Sequence, residues 1–130
     1  MIGIDTSAII DIFKGKEDVK AVLLDVKEPL ALTTISYLEL MFGIEPGNQK
    51  HKLEEQYYDE FFKSFLTLNL DNNSCKKASE IFWKLKRQGK TIEQFDCVIA
   101  GIFQANGINK LISKNSKHFE NIPNLNVIAY

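Results

Sequence analysis

Residues 1–10 read Met1-Ile2-Gly3-Ile4-Asp5-Thr6-Ser7-Ala8-Ile9-Ile10: a short apolar run, an acid, two small hydroxyl residues, and a second apolar run. Met1–Ile4 is too short for a helix and reads as a buried strand, and Asp5–Phe13 reads as the helix that follows it. Asp5 therefore stands at a strand-to-helix junction. In open α/β sheets ligands bind beyond the carboxyl ends of the strands, so a polar residue at such a junction is a candidate for function.

The same strand-then-helix alternation continues outward from this opening. Leu30–Thr34, Phe65–Leu70, Lys110–Ser113 and Asn126–Ala129 read as four further strands. Between them, apolar residues recur at three- and four-residue steps. Cys75, Ala78, Ile81, Phe82 and Leu85 mark a helix over Ser74–Gln88, and Phe95, Val98, Ile99, Ile102 and Phe103 mark another over Gln94–Ala105. Tyr57, Phe61, Phe62 and Phe65 predict a helix leading into the third strand, and Asp18–Val26 and Ser36–Phe42 complete the helical set. Gly15, Pro29, Pro46-Gly47, Gly89, Asn106-Gly107 and Pro123 fall where connections are needed. The order is β-α-α-β-α-α-β-α-α-β-β. It predicts the α/β class, with a central, mainly parallel sheet of four to five strands covered by helices on both faces, and one domain spanning 1–130.

Composition narrows the classes further. With 130 residues, 45% apolar and 25% charged, the chain is neither disordered nor a coiled coil. No apolar run approaches the roughly 18–20 residues that span a bilayer, so no membrane association is expected. Cys75 and Cys97 form neither a zinc knuckle nor a disulfide framework, and no signal-like leader opens the sequence. A cytoplasmic protein with reduced thiols is the expectation. The net charge of −1 excludes a generally basic nucleic-acid coat but allows a local basic patch. No G-x-G-x-x-G is present, which excludes a dinucleotide fold, and Ser7 breaks the D-x-D of phosphatases that use an aspartate nucleophile.

Four polar residues are placed to converge on one sheet edge: Asp5 after the first strand, Glu39 just after the second, Asp96 in the first turns of its helix and Asn115 after Lys110–Ser113. Each also has a local reading. Asp5 can cap the helix at Thr6. Ser36-Tyr37-Leu38-Glu39 satisfies a capping box. Asp96 can complement a helix dipole, and Asn115 can serve a turn.

Taken together, four segments resemble PIN-domain nucleases, in particular the VapC-type toxin ribonucleases of VapBC toxin–antitoxin pairs. They are Ile4–Ile10, the Ser36-x-x-Glu39-Leu40-x-x-Gly43 segment, the run Gly89–Gly101 with Asp96-x-x-Ile99-Ala100-Gly101, and Ser113-x-Asn115-x-x-x-Phe119 followed by Ile122-Pro123-Asn124-Leu125. The resemblance spans residues 1–130. It implies a PIN-like three-layer α/β/α sandwich and a divalent-metal-dependent endoribonuclease with RNA as substrate. It also implies a homodimer blocked by a small antitoxin protein. Asn115 stands where other members carry Asp, which leaves that position neutral. A catalytically silent PIN-like module that binds RNA or a protein partner is the alternative.

Metal explains why such acids would cluster. Packed carboxylates repel one another unless a cation sits among them, and Mg²⁺ or Mn²⁺ prefers carboxylate oxygens and can promote phosphodiester hydrolysis. The expected ligands are Asp5, Glu39 and Asp96, with Asn115 ligating or orienting a water. Thr6, Ser7 and Glu93 are candidate supporting residues. Lys114 and Lys117, beside Asn115, and Lys84 and Arg87, in the basic stretch Ser74–Lys90, are candidate RNA contacts. His118 is a candidate general acid, and Cys97 reads as core.

Overall fold

Five strands form one sheet in the order β3-β2-β1-β4-β5, every neighbouring pair parallel. They are β1 (Ile2–Ile4), β2 (Leu30–Thr33), β3 (Leu66–Leu68), β4 (Lys110–Ser113) and β5 (Asn126–Ala129). The structure, a computed structural model, describes residues 1–130. The helices are α1 (Thr6–Phe13), α2 (Glu17–Asp25), α3 (Thr34–Met41), α4 (Lys52–Lys63), α5 (Asn72–Arg87), α6 (Gln94–Ala105) and α7 (Ser116–Phe119), with a 3-10 turn at Gln49–His51. No helix is long and apolar enough to cross a membrane.

Strand residues alternate between two cores. Ile2, Ile4, Leu32 and Ile112 face one side, where Ala8, Ile9, Val19, Leu40, Tyr58 and Phe62 of α1–α4 cover them. Ala31 and Leu111 face the other, beneath Ala78, Ile81 and Leu85 of α5, Ile99 and Phe103 of α6, and Phe119 of α7. Helices cover both faces of the central strands β1, β2 and β4, which is why these read as mostly apolar runs, whereas the edge strands β3 and β5 have no fully buried residue. The result is the expected three-layer sandwich, with all five strands parallel.

Three details differ from the sequence expectation. A helical turn, α7, separates β4 from β5; at 4 residues it is too short to show a periodicity. Helix α4 begins at Lys52, before the aromatic stripe, because its first turn is polar and places Glu54 and Glu55 against the positive end of the helix dipole. Helix α3 begins at Thr34, capped by the Thr33 side chain, which accepts from the Ser36 backbone N–H. Ser36 and Glu39 are therefore not a capping box, and Glu39 is left free for another partner.

Two glycines allow close approach on the α5–α6 side. A Cβ on Gly3 would stand 2.6 Å from the ring of Phe103, which is fully buried. A Cβ on Gly101 would stand 2.8 Å from the backbone nitrogen of Ala78, so α5 and α6 touch almost backbone to backbone. Cys97, one turn earlier on α6, donates its thiol to the Ala78 carbonyl (3.2 Å). Glycine inside a helix ordinarily costs about 1 kcal/mol relative to alanine. Here the close packing reverses the preference: Gly101→Ala is expected to destabilise the fold by about 1–3 kcal/mol, read as a lowered urea midpoint with an unchanged slope.

Candidate active site

The strand order reverses between β1 and β4, since β2 and β3 lie to one side of β1 and β4 and β5 to the other. In open α/β sheets ligands bind at the carboxyl end of such a switch point, and Asp5 stands there, directly after β1. Asp5 is 2% exposed. Its Oδ1 accepts from the Ala8 backbone N–H (2.9 Å), capping α1, and from the Ser7 hydroxyl (2.7 Å). Its Oδ2 accepts from the Ser113 hydroxyl at the end of β4 (2.5 Å). Cap and site reading thus hold together: the backbone bond satisfies one oxygen, and the other reaches across the switch point.

Glu39 projects from α3 to the same edge. Its Oε1 accepts from the Thr6 hydroxyl (2.7 Å), which also lies 2.8 Å from the Ser36 hydroxyl. Thr6 has a single proton to give, so Ser36 donates to Thr6 and Thr6 to Glu39. Asp96, on the third residue of α6, is mostly covered, and its Oδ2 lies 2.9 Å from Nδ1 of His118 on α7. Glu93 caps α6 by accepting from the Asp96 backbone N–H (3.0 Å).

Electrostatics ties these acids into one neighbourhood. Burial raises the Asp5 carboxyl above its ordinary range despite the bonds from Ser113, Ala8 and Ser7, and the charge on Asp96 adds to the rise. Burial likewise raises Glu39; the bond from Thr6 opposes this, and the charges of Asp96, Glu93 and Asp5 add to it. Asp96 is raised by burial, lowered by His118 and raised again by Glu93. No lysine or arginine forms an ion pair with any of the four. The donor set suits a hard cation: carboxylate oxygens, mutually repelling, without a basic partner other than His118. As the side chains stand, however, no three acidic, histidine or cysteine groups are near enough to hold one ion together.

Asn115 follows β4 as expected, but its side chain is exposed and caps nothing; its backbone N–H donates to the Ser113 hydroxyl (3.0 Å). Ser7 accepts from the Lys114 backbone N–H (3.2 Å), a second stitch between α1 and the end of β4. The Lys114 ammonium stands 3.8 Å from buried Asp11, whereas Lys117, Lys84 and Arg87 are exposed and unpaired. Cys97 is core, as read. Ser113 and Ser36, both fully buried and both bonded into the site, stand in the segments quoted from the sequence but were not among the expected site residues. A serine that ends a strand at the functional edge was the available signal for Ser113. The aromatics of the second helical region divide: Tyr58 and Phe62 are core, whereas Tyr57 and Phe42 are 56% and 70% exposed. A groove of about 580 Å³ between α1, α3 and α4 carries Phe13, Leu53 and Tyr57 on its walls and Glu39 on its lining.

The class this defines is a parallel α/β domain with an acidic crevice at its switch point. Comparison narrows it: the PIN domain family matches residues 2–125, and the chain belongs to that family. Ribonuclease VapC3 of Methanocaldococcus jannaschii is 36% identical over 100 residues, covering 77% of this chain and 95% of that protein. Ribonuclease VapC1 of the same organism is 30% identical over 130 residues, covering 98% and 85%. Among solved structures, DNA-bound VapBC from Salmonella typhimurium superposes with a TM-score of 0.84 at 21% identity, covering 98% of this chain and 96% of that one. VapBC-1 from nontypeable Haemophilus influenzae gives 0.84 at 24% identity, covering 99% and 98%. These structures share the fold.

The raised carboxyls carry a sign. A carboxylate whose pKa is higher folded than unfolded weakens the fold as pH rises from the ordinary carboxylate range through the raised value, and the penalty then persists at neutral pH. Glu39→Gln keeps an acceptor for Thr6 and removes one charge from the cluster. It is expected to raise the melting temperature at pH 7, by an amount that shrinks toward zero as the pH falls below the carboxylate range.

Proposed function

We propose that the chain is a divalent-metal-dependent endoribonuclease that hydrolyses RNA phosphodiester bonds in the cytoplasm, as the toxin of a toxin–antitoxin pair. The observation that carries this reading is that Asp5, Glu39 and Asp96, from three different crossovers, are all raised by burial, that the charge of Asp96 acts on the other two, and that no lysine or arginine pairs with any of them. Kinship with proteins named VapC ribonucleases supports the RNA substrate.

Asp5, Glu39 and Asp96 would hold Mg²⁺ or Mn²⁺, with waters completing the contacts, since Mg²⁺ commonly retains several waters and binds through one or two carboxylates. When bound, the ion supplies an acidified water and countercharge for the phosphate. The protein's own part is placement. Ser113 and Ser7 fix both oxygens of Asp5, Thr6 holds Glu39, and Glu93 anchors the turn that presents Asp96. Asn115 lies at the rim, where its amide is free to orient a water. Lys114 and Lys117 flank it as phosphate contacts. The apolar groove ending at Glu39 would receive a segment of the antitoxin, and the exposed Phe42 side would serve a homodimer.

A silent module is the second reading, favoured by the absence of a three-donor cluster and by the solvent-facing Asn115. Cleavage separates the two. Single-stranded RNA is expected to be cut with Mg²⁺ or Mn²⁺, spared with EDTA, and cut at least about a hundredfold more slowly by Asp96→Asn, or about 2.7 kcal/mol of barrier. Mn²⁺ should also raise the melting temperature of the wild type and not that of Asp5→Asn. Undiminished cleavage by Asp96→Asn rejects the assignment.

A further inference from the structure

The last two turns of α5 carry a feature that the acidic crevice does not explain. Trp83 is the only tryptophan of the chain and is 48% exposed. Its ring meets the Phe82 ring edge to face, 5.6 Å between centroids at 87°. The Lys86 ammonium lies 5.0 Å from the Trp83 centroid and 5.6 Å from that of Phe82. The indole is thus held in one orientation by two neighbours while nearly half of it remains open.

The surroundings are basic. From Ser74 to Lys90 the chain has Lys76, Lys77, Lys84, Lys86, Arg87 and Lys90 against one acid, Glu80, which is taken by Lys77 (3.7 Å). None of the other five cations has a carboxylate within ion-pair distance. In a protein of net charge −1, four of these cations, Lys84, Lys86, Arg87 and Lys90, gather at and just beyond the C-terminal end of α5. A half-open aromatic plane among unpaired cations is the combination that binds single-stranded nucleic acid: bases stack on the ring while phosphates meet the cations. An apolar protein partner would leave those charges desolvated and unpaired.

The patch sits on the helix packed against the one that carries Asp96: Phe82 lines a small hollow with Gln94, Cys97 and Val98 of α6. We propose that Trp83 is a base-stacking subsite for single-stranded RNA, with Lys84, Lys86 and Arg87 as its phosphate contacts, and that a strand lying on α5 leads toward Asp96. The proposal rests on the ribonuclease reading for its substrate, yet it concerns binding alone.

The test needs no metal. A short oligouridine is titrated in EDTA into the wild-type protein, with Trp83 emission corrected for absorption by the RNA and the anisotropy of a labelled oligonucleotide followed in parallel. Saturable quenching with the same Kd as the anisotropy is expected. Trp83→Ala should weaken binding about tenfold, or about 1.4 kcal/mol, while Trp83→Phe, which keeps a ring and guards against misfolding, should recover most of it. Binding by anisotropy with Trp83 emission unmoved, or an unchanged Kd in Trp83→Ala, overturns the inference and leaves the ribonuclease reading standing. Emission that shifts with protein concentration and ignores RNA shows a contact between copies of the chain and overturns it as well. Absence of binding by both signals removes the RNA substrate and the subsite together. Quenching without cleavage in Mg²⁺ or Mn²⁺ supports the subsite and rejects only the hydrolysis.

Discussion

The Asp5 carboxylate is one group asked to do three things. One oxygen caps the start of the first helix by accepting from Ala8, the same oxygen takes the Ser7 hydroxyl, and the other takes the Ser113 hydroxyl from the end of the neighbouring strand. A buried acid with fewer partners would be protonated or would draw in water. With them it stays in place, and it ties β1, α1 and β4 together at the point where the sheet changes direction. The position of the Asp5 charge is thereby fixed relative to α1 and to the end of β4.

The knot comes at a stability cost. Asp5, Glu39 and Asp96 all have their carboxyl groups pushed up by burial, and each lies in the field of at least one other acid. Natural folds tolerate such repulsion where function needs it and offset it elsewhere. Here the offset is the pair of dry cores on either side of the sheet, together with hydroxyl donors from Thr6, Ser7 and Ser113, which stabilise negative charge without adding any positive charge.

Much of this was readable from the chain. A parallel strand buried on both faces shows as an unbroken apolar run, so Lys110–Ser113 was placed to the residue; the short apolar run Asn126–Ala129 and the Gln94–Ala105 helix with its apolar stripe were placed to the residue as well. The acids after the strands followed from the general geometry of wound sheets. What escaped was whatever local pattern could not decide. Ser36-x-x-Glu39 has the form of a capping box, and only the tertiary position of Thr6 shows that Glu39 bonds elsewhere. Ser113 is a single small residue with no periodicity, and its role depends on a carboxylate 108 positions away in sequence. The pairing of His118 with Asp96 depends on a helical turn too short to announce itself.

The contact between Gly101 and Ala78 has a mechanical side. With no side chain between them, α5 and α6 have almost no cushion of rotatable groups through which one could slide or tilt against the other. The two helices behave as a single beam, with Trp83 mounted on one member and Asp96 on the other. The placement of Trp83 relative to Asp96 is thus set by a backbone contact rather than by rotatable side chains.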